Sequence, residues 1–76
     1  MRVSHAPLYR ALSPTVERHY AALDALLDGC VERGEVLAEE RESVRADAHR
    51  VWRSQFGITD EQAVRQAIAL RREGLL

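Results

Sequence analysis

Residues 35–56, EVLAEERESVRADAHRVWRSQF, form the longest unbroken helical pattern in the chain. Leu37, Val44, Ala48, Val51, Trp52 and Phe56 fall on one face of a helix with 3.6 residues per turn. Gly57 is a natural stop. Arg41 lies inside this apolar stripe, one turn from both Leu37 and Val44. An arginine there has to run its stem to water or meet an acid.

The acids are found upstream. Ser13-Pro14 is a helix start: serine caps, and proline suits the first helical position, where its missing N–H costs nothing. The stripe Val16, Tyr20, Leu23, Leu27, Cys30 and Val31, with Leu26 at its edge, predicts a helix over about 14–33. Gly34 closes it with a left-handed backbone. Asp24 and Asp28 flank this stripe four residues apart, a spacing at which like charges repel within one helix. Arg41, Arg45 and His49 flank the stripe of the second helix, expected over about 36–56, on the matching side. An antiparallel hairpin then sets Asp28 against Arg41, Asp24 against Arg45 and Tyr20 against His49. The core layers it implies are Val31 with Leu37, Leu23 with Val44, Tyr20 with Ala48 and Val16 with Trp52. Between chains the same ladder would serve equally well.

Downstream, Thr59 with Gln62 fits a capping box. Asp60 and Glu61 suit the first turn of a third helix, about 60–73, and Arg71 and Arg72 its last turn, as the helix dipole favours. Glu61 and Arg65 are spaced for a surface pair. Ala63, Val64, Ala67, Ile68 and Leu70 form its inner face, and Gly74 ends it. No strand, repeat or low-complexity tract interrupts this all-α pattern of three helices in one domain over 14–76. Residues 1–13 form an arm in which Pro7 can open a short helical turn carrying Leu8, Tyr9 and Leu12.

Composition narrows the function. The chain has 76 residues, a net charge of −1 and 30% charged residues. A chain of this length buries only about 60% of its unfolded surface, so its own core is thin and a core shared with another protein or a second copy is expected. One cysteine gives no disulfide framework. The absence of an apolar leader and of a membrane-length run points to a cytoplasmic protein with no membrane partner. All eleven basic residues are arginine, a bacterial-like, GC-rich composition. They are spread evenly, so the basic pole of a nucleic-acid binder is missing.

His5, His19, Cys30 and His49 lack metal-ligand spacing, so neither metal nor cofactor is expected. Cys30 reads as a small buried apolar residue. His19 reads as a half-buried edge residue, and His49 as a bonding neighbour of Tyr20. Glu39, Glu40 and Glu42 point to different sides of a helix and cannot converge on one ion. No phosphate loop or catalytic triad arrangement is visible.

Two family resemblances accompany these readings. Phe56-Gly57-Ile58-Thr59, then Ala63 to Ile68 and Glu73-Gly74-Leu75-Leu76, is similar to the helix-turn-helix of GntR-type winged-helix repressors over about the last 25 residues. It implies a DNA-binding unit in residues 50–70, with Gln62, Arg65 and Gln66 near bases. Departures are Arg53 at a position for a small residue, a Val-Arg pair displaced by one, acids at the phosphate-facing helix start and no wing. Residues 16–42, with Leu23-Asp24-Ala25-Leu26-Leu27, Glu32-Arg33-Gly34-Glu35-Val36 and Glu39-Glu40, resemble the helical hairpin of nitrile hydratase β-like subunits. That resemblance implies a non-catalytic accessory subunit on a metal-bearing partner; the flanking segments do not match.

The favoured expectation is a small non-catalytic protein–protein interaction module, regulatory, inhibitory or accessory, able to self-associate. Leu8, Tyr9, Leu12, Trp52, Leu75 and Leu76 are its candidate contacts, although Trp52 suits the core better.

Overall fold

The computed structural model describes residues 14–74. It contains helices α1 (Pro14–Glu32), α2 (Arg41–Ser54) and α3 (Asp60–Arg72), with a 3-10 turn at Ala38–Glu40, and no strand among the described residues. The protein is an all-α, three-helix domain.

Each helix ends where its local chemistry says it should. At the end of α1, Gly34 has φ +77°. Its N–H donates to the Val31 carbonyl at 3.1 Å and that of Glu35 to the Cys30 carbonyl at 2.8 Å. This is the Schellman closure that only a residue at ease with positive φ supports. At the start of α3, Thr59 Oγ1 accepts from Gln62 N–H at 3.1 Å, and Gln62 Oε1 accepts from Thr59 N–H at 3.0 Å. Both halves of the expected capping box are made.

The second helix departs from expectation at both ends. It begins at Arg41 rather than near residue 36. The Glu40 carboxylate accepts the Leu37 N–H at 3.3 Å, which favours a tight 3-10 turn first. Val36 therefore enters the core at 4% exposure, and Leu37 stands out at 57%. The expected Val31–Leu37 core layer does not form. At the other end, Ser54 Oγ donates to the Val51 carbonyl at 2.9 Å and Gln55 turns extended, with φ −128°. The helix stops at Ser54, before Phe56 can rejoin the apolar face, and Phe56 is 109% exposed. Gly57 follows at φ +82°.

The core is Leu23, Leu27 and Cys30 from α1, Val36 from the link, Val44, Ala48 and Val51 from α2, and Ala63, Val64 and Ala67 from α3. The contact between α2 and α3 is the most extensive of the three helix pairs. Alanines 48, 63 and 67 are fully covered, and such small side chains let helices approach closely. Tyr20, Leu26, Val31, Trp52, Ile58, Ile68 and Leu70 pack against this core while only partly covered.

Candidate functional site

Arg41 and Arg45 find the partners their positions require. Arg41 Nε donates to Asp28 Oδ1 at 2.9 Å and Arg45 Nε to Asp24 Oδ1 at 2.8 Å. The Tyr20 and His49 rings stack with centroids 4.9 Å apart. These contacts fall along α1 as they rise along α2, an order compatible with an antiparallel hairpin. Arg41 also reaches Asp24 at 3.4 Å, and the Arg45 guanidinium lies 4.5 Å over the Tyr20 ring. One carboxylate thus serves two arginines, which offsets the repulsion between Asp24 and Asp28. The rungs remain wetted, with Asp24 42% and Arg45 29% exposed. A double-mutant cycle of Asp24→Ala and Arg45→Ala, read by urea denaturation, is expected to give a coupling of at most about 1 kcal/mol. A coupling above about 2 kcal/mol would assign the ladder a stabilising role it cannot have in solvent.

Asp47 is a second paired acid and a deeper one. Its side chain is 7% exposed, Oδ2 accepts from Arg71 Nη1 at 2.8 Å, and Oδ1 accepts from Arg50. It ties α2 to the last turn of α3. Asp47 lies three residues after Val44 and four before Val51. The rule that flags Arg41 as a charge inside an apolar stripe flags Asp47 too.

The third cluster joins all three helices. His19 is 2% exposed rather than half-buried. It sits four residues before Leu23, so it belongs to the buried stripe rather than its edge. Its Nδ1 lies 2.5 Å from Asp60 Oδ1, on α3, and its Nε2 lies 3.0 Å from His49 Nδ1, on α2. The Trp52 ring stacks on His19 at 3.8 Å between centroids. His49 therefore bonds His19 and stacks on Tyr20. Burial, aided by the charges of His19, Arg53 and Arg45, holds the His49 pKa below the ordinary histidine value.

The remaining predicted residues are dispersed. Trp52 is half-buried through its stack on His19. Leu8, Tyr9, Leu12, Leu75 and Leu76 lie outside the described residues. Gln62 is committed to its cap, Arg65 to Glu61 at 3.4 Å, and Gln66 to the Gln55 amide at 2.6 Å. Cys30 is buried, and that burial, with the Glu35 carboxylate beside it, pushes its thiol pKa up. Among the described residues no group of three or more His, Cys, Asp or Glu side chains could hold a metal ion. No helix there is long and apolar enough to cross a membrane.

Phe56, like Leu37, is expected on the apolar face of the second helix and is exposed instead. Trp52, Arg53, Phe56, Gly57 and Ile58 line a shallow concavity at the turn between α2 and α3. The turn is held from both sides, by the Gln55–Gln66 amide pair and by the Thr59 cap. The Gln55-Phe56-Gly57 sequence carried the available signal, an aromatic residue immediately before a left-handed glycine.

Comparison of the chain with protein-family models, with curated proteins and with solved structures finds no match.

Proposed function

We propose that this protein is a small non-catalytic interaction module that docks another protein through the turn between α2 and α3. The observation that carries the reading is Phe56, wholly exposed on a turn that is itself fixed. A rigid aromatic anchor is the kind of residue on which docking energy concentrates. Arg53, exposed on the same concavity, adds a cation and suits a partner with an apolar pocket edged by carboxylates. The core of the described residues, in which three of ten buried apolar residues are alanine, supports a protein completed by its partner.

Fully burying a phenylalanine contributes about 1.5–3 kcal/mol. Phe56→Ser is therefore expected to weaken partner capture by at least about tenfold. The same substitution is expected to leave the thermal midpoint unchanged, since the Phe56 side chain is wholly exposed on the described domain. The measurement compares wild type and variant by co-purification and by sedimentation of the purified protein, which also detects self-association. Capture or self-association that is indifferent to Phe56→Ser overturns the reading.

The helix-turn-helix alternative draws support from the extensive contact between α2 and α3. Against it, Gln62, Arg65 and Gln66 are all occupied by neighbours within the chain. Salt-dependent retention on duplex DNA, reduced by Arg65→Ala, would favour it over docking. The accessory-subunit alternative, on a nitrile hydratase-like partner, is a special case of docking and is decided by the identity of the captured protein.

A further inference from the structure

We infer that Asp60, His19 and His49 form a proton-responsive fastener, which holds α1 to α2 and α3 at neutral pH and opens when both imidazoles are charged. The Asp60 carboxylate only accepts, so His19 Nδ1 carries a hydrogen and donates it across 2.5 Å. That leaves His19 Nε2 and His49 Nδ1 facing each other at 3.0 Å with room for one proton between them. A chain with no extra proton or one extra proton keeps this bond, because one nitrogen donates and the other accepts. With two extra protons, two N–H groups and two positive charges oppose each other, and the bond is lost.

Among the described residues, those packed on His49 offer the second charge no free acid. On α2, His49 has Arg45 and Arg53 one turn away on either side, and both disfavour its charged form. From α1 it meets His19 and the neutral Tyr20 ring. On α3, Asp60 is bonded to His19. On α1, Asp24, one turn beyond Tyr20, is taken by Arg45 and Arg41. The Trp52 ring lies 5.8 Å from His49 and 3.8 Å from His19.

The sign of the pH effect follows. His49 takes its proton more readily in the unfolded chain, near the ordinary value of 6.5, than in the folded one. The stabilisation is complete above that value and is lost as pH falls from it toward the lowered folded value. In that window the folding constant falls by up to about tenfold per pH unit. Trp52 is the sole tryptophan, and its stack on His19 makes its emission a direct reading of the fastener. Trp52 also lines the concavity beside Phe56, so opening would alter the docking surface. That consequence rests on the docking reading, whereas the proton test needs no partner.

The experiment follows Trp52 emission and urea denaturation of the purified chain from about pH 7.5 to about pH 5, for wild type and His49→Gln. The glutamine amide can still donate to His19 Nε2 but takes up no proton, and the variant retains His5 and His19. The expected result is a reversible emission change and a falling folding constant in wild type, both absent in the variant. A flat wild-type response, or the same response in His49→Gln, overturns the inference. Should His49→Gln fail to fold, imidazole 15N shifts of the wild type decide. His19 and Trp52 signals that move at the His49 midpoint uphold the fastener, and a His49 titration that leaves both unmoved overturns it.

Discussion

Replacing Leu27 by alanine is expected to lower the unfolding free energy by about 3 kcal/mol. Leu27 has no exposed surface and sits on the α1 stripe between Leu23 and Cys30, under cover from the other helices. Truncation removes its burial and leaves a cavity that three short helices cannot collapse around without losing other contacts. The loss is large in relation to the whole. At about 0.05–0.15 kcal/mol per residue, a chain of this length has roughly 4–11 kcal/mol to lose. Urea denaturation followed by far-ultraviolet circular dichroism measures the change, with the slope m as a control that the same surface is exposed. A loss below about 1 kcal/mol would mean that Leu27 is not central to the core.

Asp47→Ala is expected to cost about 2–3 kcal/mol, close to the cavity mutant although no apolar contact is lost. The wild-type carboxylate is 7% exposed and its chief partner, Arg71, 31%. Without Asp47, the Arg71 guanidinium has no charge partner among the described residues and only partial access to water. That partial access brings the cost to or below the lower end for a broken buried pair. Arg50, 71% exposed, simply returns to solvent. A double replacement, Asp47→Leu with Arg71→Met, separates the causes. If the penalty comes from a stranded charge, removing both charges recovers most of it. If the double variant is as unstable as Asp47→Ala, the geometry rather than the charge is what matters.

Much of this fold was legible because it follows from rules that act over one or two turns. The Gly34 closure, the Thr59–Gln62 box and the Glu61–Arg65 pair each need only three to five residues of context. The Asp24–Arg45 and Asp28–Arg41 contacts are longer in range, but they follow from matching two helical faces about a short turn. The failures have physical reasons of the same local kind. Glu40 captured the Leu37 N–H and Ser54 captured the Val51 carbonyl, and each bond moved a helix boundary by a few residues. Those shifts reversed the burial of Leu37 and Val36, and they carried Phe56 from the core face to the surface. The candidate site was less legible than the fold. Neither His19 with Asp60 nor Asp47 with Arg71 follows from pairing α1 with α2, because each depends on where α3 is laid down. The exposure of Phe56 depends on a boundary, the feature that periodicity fixes least.

Cys30 gives the C-terminal part of α1 a chemical clock. It is the sole thiol in the chain, it is 5% exposed, and burial holds its pKa up. A disulfide reagent attacks the thiolate, and burial disfavours that form here. The rate at which the intact protein is labelled therefore reports how often the recess that Cys30 shares with Val64 and Arg65 opens to the reagent. Where closing outpaces labelling, that rate converts into an opening free energy for this one recess, distinct from the global value that denaturant reports.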